Sequence, residues 1–178
     1  MISNRIVNSK ARKLAIKKGF RSGLELKVSG MLKCLHLNNS FEPFKLPYRL
    51  RVHKATIKCV FCESNTFIED KQYLPDFVLN DFKVVLEVKG IFTMKDRKKM
   101  FSVIKYNPDY EFVMVFQNPK KKISKHSKYT YQTWCNKNGI ESTGVKELKH
   151  FLITKLHLKS KKKYINVNGN KNGTSKKS

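Results

Sequence analysis

The stretch YLPDFVLNDFKVVLEVKG, residues 73–90, decides how this chain is read. Tyr73 to Leu79 reads as a strand, Asn80-Asp81 as a turn, and Phe82 to Lys89 as a second strand, together a hairpin. Side chains alternate across a strand, so Glu87 and Lys89 share one face while Leu86 and Val88 face the apolar side. The hairpin turn returns Asp76 alongside Glu87 and Lys89. Two carboxylates and an ammonium thus converge without any long-range assumption.

Two hard oxygen ligands on adjacent strands suit Mg²⁺, which takes one or two carboxylates plus waters and substrate phosphate. Such an ion polarises a phosphoryl oxygen and activates a bound water, and Lys89 is placed to orient that water or balance developing charge. The competing reading is a solvated hairpin with a structural Glu–Lys pair, because a bare D…ExK match arises often by chance. The rest of the chain weighs against it. A helix beginning near Arg21, with Leu24, Val28, Met31, Leu32 and Leu35 at helical spacing, carries Glu25 in its first turn. Glu25 either compensates the helix dipole or points inward beside Leu24.

Charge is the second signal. The 178 residues hold 38 Lys+Arg against 13 Asp+Glu, a net charge of +25. Seven basic residues and no acid precede Glu25, and nine more with no acid follow Glu147. Such an excess repels itself when compact, and releasing counterions from a polyanion is what it does best, so the expected partner is nucleic acid. The candidate phosphate contacts are Lys17, Lys18 and Arg21, then Arg97, Lys98 and Lys99, then Lys120, Lys121 and Lys122. The Arg97–Lys99 run opens a helix, where cations oppose the dipole, a penalty that meeting phosphate explains.

No run of apolar residues is long enough for a membrane span. The N-terminus lacks the apolar core of a signal peptide, and four cysteines without one imply free thiols, so a cytoplasmic protein is expected. Cys59-x-x-Cys62 supplies half a zinc site, with no second CxxC to complete it, and reads as a buried or incidental thiol pair. Cys34 and Cys135 read as core.

Further along, Phe41 to Leu50 reads as extended, interrupted by Pro43 and Pro47. Thr93 and Asp96 form a capping-box pattern opening a helix to about Tyr106. Glu111 to Gln117 is a buried strand, Lys120–Lys128 a basic loop, Thr130 to Asn138 a helix closing at Gly139, and Val145 to Leu158 a final amphipathic helix. The expected organisation is a flexible basic arm (1–19), a mixed α/β domain (20–158, with 41–72 as an extended bridge or insertion) and a disordered Lys-rich tail (159–178).

FRSGLE (20–25), FE followed by KLPY (41–48), YLPDF (73–77), LEVKG (86–90), DRKK (96–99) and WCNKNGI (134–140) occur in the order found in the phage endonuclease I family of Holliday-junction resolvases, which this chain resembles over about residues 20–143. The resemblance implies a restriction-endonuclease-like core, with a central mixed sheet flanked by helices, in an intertwined, domain-swapped homodimer. It implies Mg²⁺-dependent hydrolysis, with Mn²⁺ substituting, to 5′-phosphate and 3′-hydroxyl ends, as paired nicks across a four-way DNA junction. The implied catalytic set is Glu25, Asp76, Glu87, Lys89 and, as a further acid, Glu42. The implied metal set is Asp76, Glu87, Val88 and Glu25, with Glu25 reaching the partner subunit's acids. Between Leu50 and Tyr73 the chain is longer than the family's bridge. Another nickase of the same chemistry, or a basic DNA-binding protein without catalysis, would share the charge and the motif.

Overall fold

The structure is a computed structural model that describes residues 3–54 and 65–169. Its centre is a five-stranded mixed sheet in the order β1 (Asn39–Phe41), β4 (Phe77–Leu79), β5 (Val84–Lys89), β6 (Glu111–Phe116), β7 (Glu141–Gly144). β1, β4 and β5 run antiparallel, whereas β5, β6 and β7 are parallel. Parallel strands are covered on both faces, which is why β5 and β6 read as almost unbroken apolar runs. Val84, Leu86 and Val88 pack with Val28 and Leu32 of α2 (Gly23–Cys34) and with Leu148 and Leu152 of α5 (Leu148–Gly169). On the other face Val85 and Met114 meet Met100 and Val103 of α3 (Met94–Tyr106) and Tyr131 and Cys135 of α4 (Tyr131–Lys137).

β2 (Leu46–His53) and β3 (Thr66–Tyr73) form a separate antiparallel ribbon in register from Leu46–Tyr73 to His53–Thr66. Asn107 at the end of α3 anchors it by donating to the Pro47 carbonyl at 3.0 Å. Tyr73 therefore ends this ribbon and does not begin β4. Pro75 has no N–H to continue a ladder, and the chain turns at Leu74–Asp76 before pairing again at Phe77. The expected strand from Tyr73 to Leu79 is two pieces in two sheets, and the hairpin proper is β4, a 3₁₀ turn at Asn80–Phe82, and β5.

Other boundaries also moved. α1 (Ser3–Lys17) is a helix where a flexible basic arm was expected, and Gly19 at φ 81° ends it, with Phe20 N–H bonding the Ala15 carbonyl. Ala15 of α1 is buried, and Gly23 brings the start of α2 against it, since a Cβ there would sit 3.4 Å from Ala11. β7 had no sequence signal, being four residues of polar and small side chains, and it displaces the last helix start from Val145 to Leu148. That helix runs to Gly169, beyond the expected end at Leu158. Lysine favours helix, and Lys159 Nζ bonds the Phe82 carbonyl at 2.9 Å and Glu111 at 2.6 Å. Cys34 is exposed, a correction, because it lies about half a helical turn from buried Leu32, while Cys135 is buried. Cys59, Cys62 and the rest of 55–64 in the longer bridge lie outside the described residues.

Candidate active site

One end of β5 gathers the acids. The Phe77–Leu86 pairing sets Asp76 opposite Glu87 at the next step of the β4–β5 ladder. The Val88 N–H then donates to Asp76 Oδ2 at 2.7 Å, fixing one carboxylate oxygen to the backbone of the strand that carries Glu87. β1 pairs with β4 through Phe41–Phe77, which places Glu42 beside Asp76, with the Glu42 N–H on the Asp76 carbonyl at 3.2 Å. Glu42 holds φ at 46°, the left-handed region that a glutamate adopts at a cost.

α2 delivers the third acid. Ser22 is its N-cap, and its hydroxyl accepts from the Glu25 N–H at 3.2 Å and donates to Glu25 Oε1 at 2.9 Å. Glu25 Oε2 accepts at 2.9 Å from the N–H of Arg21, the residue before the N-cap, which ties the acid to the helix start. Glu25 is buried, so it fulfils both readings of the sequence, compensating the helix start and pointing inward.

The cations arrive from two sides. Arg21 Nη2 donates to Asp76 Oδ1 at 2.6 Å and lies 2.7 Å from Glu42 Oε1. Lys89 Nζ is 2.9 Å from Glu87 Oε1 and 3.8 Å from Asp96 Oδ1, and Lys99 Nζ is 4.0 Å from Glu87 Oε1. The Tyr73 hydroxyl donates to Glu87 Oε2. Tyr73, Asp96 and Ser22 were missed by sequence reasoning as neighbours of the site. The available signal was a tyrosine three positions ahead of a buried acid, and a capping box opening the helix after the Lys89 strand.

Burial sets the electrostatics. Asp76 and Glu87 are 3% and 2% exposed. Burial first, then the Glu87 charge, pushes the Asp76 carboxyl up to about 7, against the Val88 hydrogen bond and Lys89, which pull it down. Tyr73 is pushed well above its usual value by burial and by Glu87, so it keeps its proton and stays a donor. Burial alone would lower Lys89, but Glu87, Asp76 and Asp96 outweigh it, and the ammonium is held charged.

These acids fit a divalent cation in part. Among the described residues no three His, Cys, Asp or Glu side chains form a ready-made cage. However, Mg²⁺ needs only one or two carboxylates. The buried Glu42 Oε1 receives no aligned hydrogen bond despite the nearby Arg21, and the cluster lifts Asp76 toward protonation, both of which a cation would relieve.

The expected phosphate contacts divide. Lys17, Lys18, Lys98, Lys120, Lys121 and Lys122 are exposed. Arg97 is half-buried, donating to the Phe92 carbonyl at 2.8 Å and lying over the Phe92 and Trp134 rings. Lys99 and Arg21 instead reach into the acid cluster.

Comparison with known proteins identifies the family of the chain. The family model for phage endonuclease I matches residues 6–169. Endodeoxyribonuclease 1 of Enterobacteria phage T3 is 33% identical over 123 residues, covering 69% of this chain and 70% of that protein. Endonuclease I of Escherichia phage T7 is 31% identical over 122 residues, covering 68% of this chain and 70% of that protein. On a matched span of this extent, the chain belongs to the phage endonuclease I family.

Proposed function

We propose that this chain is a divalent-metal-dependent DNA endonuclease that resolves four-way junctions by paired nicks, acting as a homodimer in the cytoplasm of a bacterial host. The observation that carries the chemistry is the buried Asp76–Glu87 pair, with Lys89 on the same strand and Asp76 lifted to about 7. Relatives named as endonuclease support the reaction class.

Asp76, Glu87, the Val88 backbone and Glu25 would hold Mg²⁺ or Mn²⁺, which when bound polarises the phosphodiester and acidifies a water. The protein's own groups do the rest. Val88 N–H and the Tyr73 hydroxyl lock the orientations of the two acids. Lys89, held charged, balances negative charge developing on the phosphate or orients the attacking water. The products are a 5′-phosphate and a 3′-hydroxyl. The single chain sets Glu25 close enough to raise its own Asp76. A dimer exchanging α2 would rebuild the same constellation between subunits.

Substrate choice rests on branch shape and phosphates, with little base readout. The test is cleavage of an immobile four-way junction and a linear duplex of the same sequence, by wild type and Glu87→Ala, with Mg²⁺ and with chelator. Paired nicks near the branch point, lost with chelator or with the substitution, are expected. Equal cutting of both substrates would leave a general nickase, and tight binding without any cleavage would leave a non-catalytic DNA-binding protein.

A further inference from the structure

Arg21 was expected on the DNA, but its guanidinium lies across the acids. Its Nη2 is 2.6 Å from Asp76 Oδ1 and 2.7 Å from Glu42 Oε1, and no other cation contacts either oxygen among the described residues. Asp76 has only two carboxylate oxygens, and the Val88 N–H already holds Oδ2. A metal bound through Asp76 Oδ1 would share that oxygen with Arg21 Nη2 or take its place. The guanidinium side is a poor permanent fixture: the Arg21 side chain is 58% exposed, whereas that of Asp76 is 5% exposed. Its pairing with Glu42 is also incomplete, since the buried Glu42 Oε1 receives no aligned hydrogen bond. Meanwhile the Arg21 backbone stays tied through its N–H to Glu25, so the side chain can leave without moving α2.

We propose that the Arg21 guanidinium is a stand-in cation of the metal-free site, one that a divalent ion displaces from Asp76 and Glu42. This rests on the metal-dependent reading above. Arg21 neutralises acids that would otherwise repel each other before metal arrives, and it competes with the ion for Asp76 Oδ1. Metal loading then turns a half-exposed guanidinium outward at the mouth of the site, where a phosphate can meet it.

The test is calorimetric titration of Mn²⁺ into the full chain at about pH 8.5, above the Asp76 transition, for wild type and Arg21→Ala. Arg21→Ala should bind Mn²⁺ roughly fivefold to tenfold more tightly, because nothing has to be displaced. Unchanged or weaker binding by Arg21→Ala overturns the proposal while leaving the metal site intact. No Mn²⁺ binding by either protein overturns the metal-dependent reading itself. A second readout uses wild type alone: the Arg21 side-chain NMR signals should show restricted, hydrogen-bonded guanidinium hydrogens without metal, released on adding Mg²⁺. Restriction that survives saturating Mg²⁺ also overturns it.

Discussion

Two regions of the molecule join lysine or arginine to several carboxylates, and they are built in opposite ways. At the end of β5 the acids are buried and Arg21, the cation on Asp76, is largely exposed. Beside β6 and β7 the acids Glu111 and Glu141 are half-exposed, while Lys155, only 11% exposed, lies between them at 2.7 and 2.5 Å, with Lys159 adding a further contact to Glu111. The outcomes diverge accordingly. For Glu111, burial tends to raise the carboxyl, but hydrogen bonds from Lys155 and Lys159 hold it below the usual carboxylate range. For Asp76, burial and neighbouring acids win, and the carboxyl rises to about 7. Water screens the first kind of acid and two lysines satisfy it. The second kind is short of positive charge, the condition expected of a site built for a cation.

The contrast can be broken hardest at the chemistry. Asp76→Ala or Glu87→Ala should lower junction cleavage on the order of a thousandfold or more while retaining junction binding. Glu111→Ala should leave the rate nearly unchanged. Single-turnover cleavage beside a gel-shift assay checks both, and normal cutting by either site mutant would sink the assignment. Tyr73→Phe removes only the hydroxyl that orients Glu87, and a loss of about 10–100-fold in rate is expected, with partial recovery at high Mn²⁺.

Stability gives the sharper, smaller test, because the two carboxyls act in opposite directions with pH. The Asp76 value is raised above its unfolded one, so its stabilising contribution is full below about pH 4 and is lost as pH rises through about 7. Metal-free Asp76→Asn should therefore melt higher than wild type above pH 7, by an amount on the order of 4 kcal/mol at most, and should match it near pH 4. The Glu111 value is lowered, so its contribution is present above the unfolded carboxylate value and is lost as pH falls through the lower folded one. Glu111→Gln should cost less than about 1 kcal/mol at neutral pH, since the Glu111 carboxylate is half-exposed and screened by solvent and Lys155 keeps Glu141. Thermal melts of both variants across pH decide it, and a destabilised Asp76→Asn at pH 8 would remove the idea of a cation-starved site. The smallest effect concerns the charged end: truncation after Lys159 should reduce the salt dependence of DNA binding and leave the cleavage position alone.

Much of this was legible in sequence where one physical cause dominated. The apolar stripe of α2, the Thr93–Asp96 capping box and the apolar run of β6 each have a local signature, and each formed close to where the pattern put it. The convergence of Asp76, Glu87 and Lys89 was legible because strand alternation and a short hairpin act over a few residues. What failed was non-local. Whether Tyr73 continues toward Asp76 or ends the ribbon depends on its pairing with Leu46, far back in the chain. β7 exists because β6 offers an open edge, which no feature of Glu141–Gly144 announces. Arg21 counts as one more basic residue in any tally of charge, and only the fold shows it turned onto Asp76 and Glu42.

The position of β5 also governs when the acids can meet. It lies between β4, which precedes it, and β6, which begins at Glu111, and its first five residues are buried. During synthesis the ribosome releases Arg21, Glu25, Asp76 and Glu87 well before Phe116, yet β5 gains its parallel neighbour only when β6 has emerged. A nascent chain is thus cutting-incompetent for most of its elongation, and recovery of cleavage after dilution from denaturant should trail any signal of early helix formation. The topology thus sets the acid cluster in its full sheet only once about two-thirds of the chain, through β6, has been made.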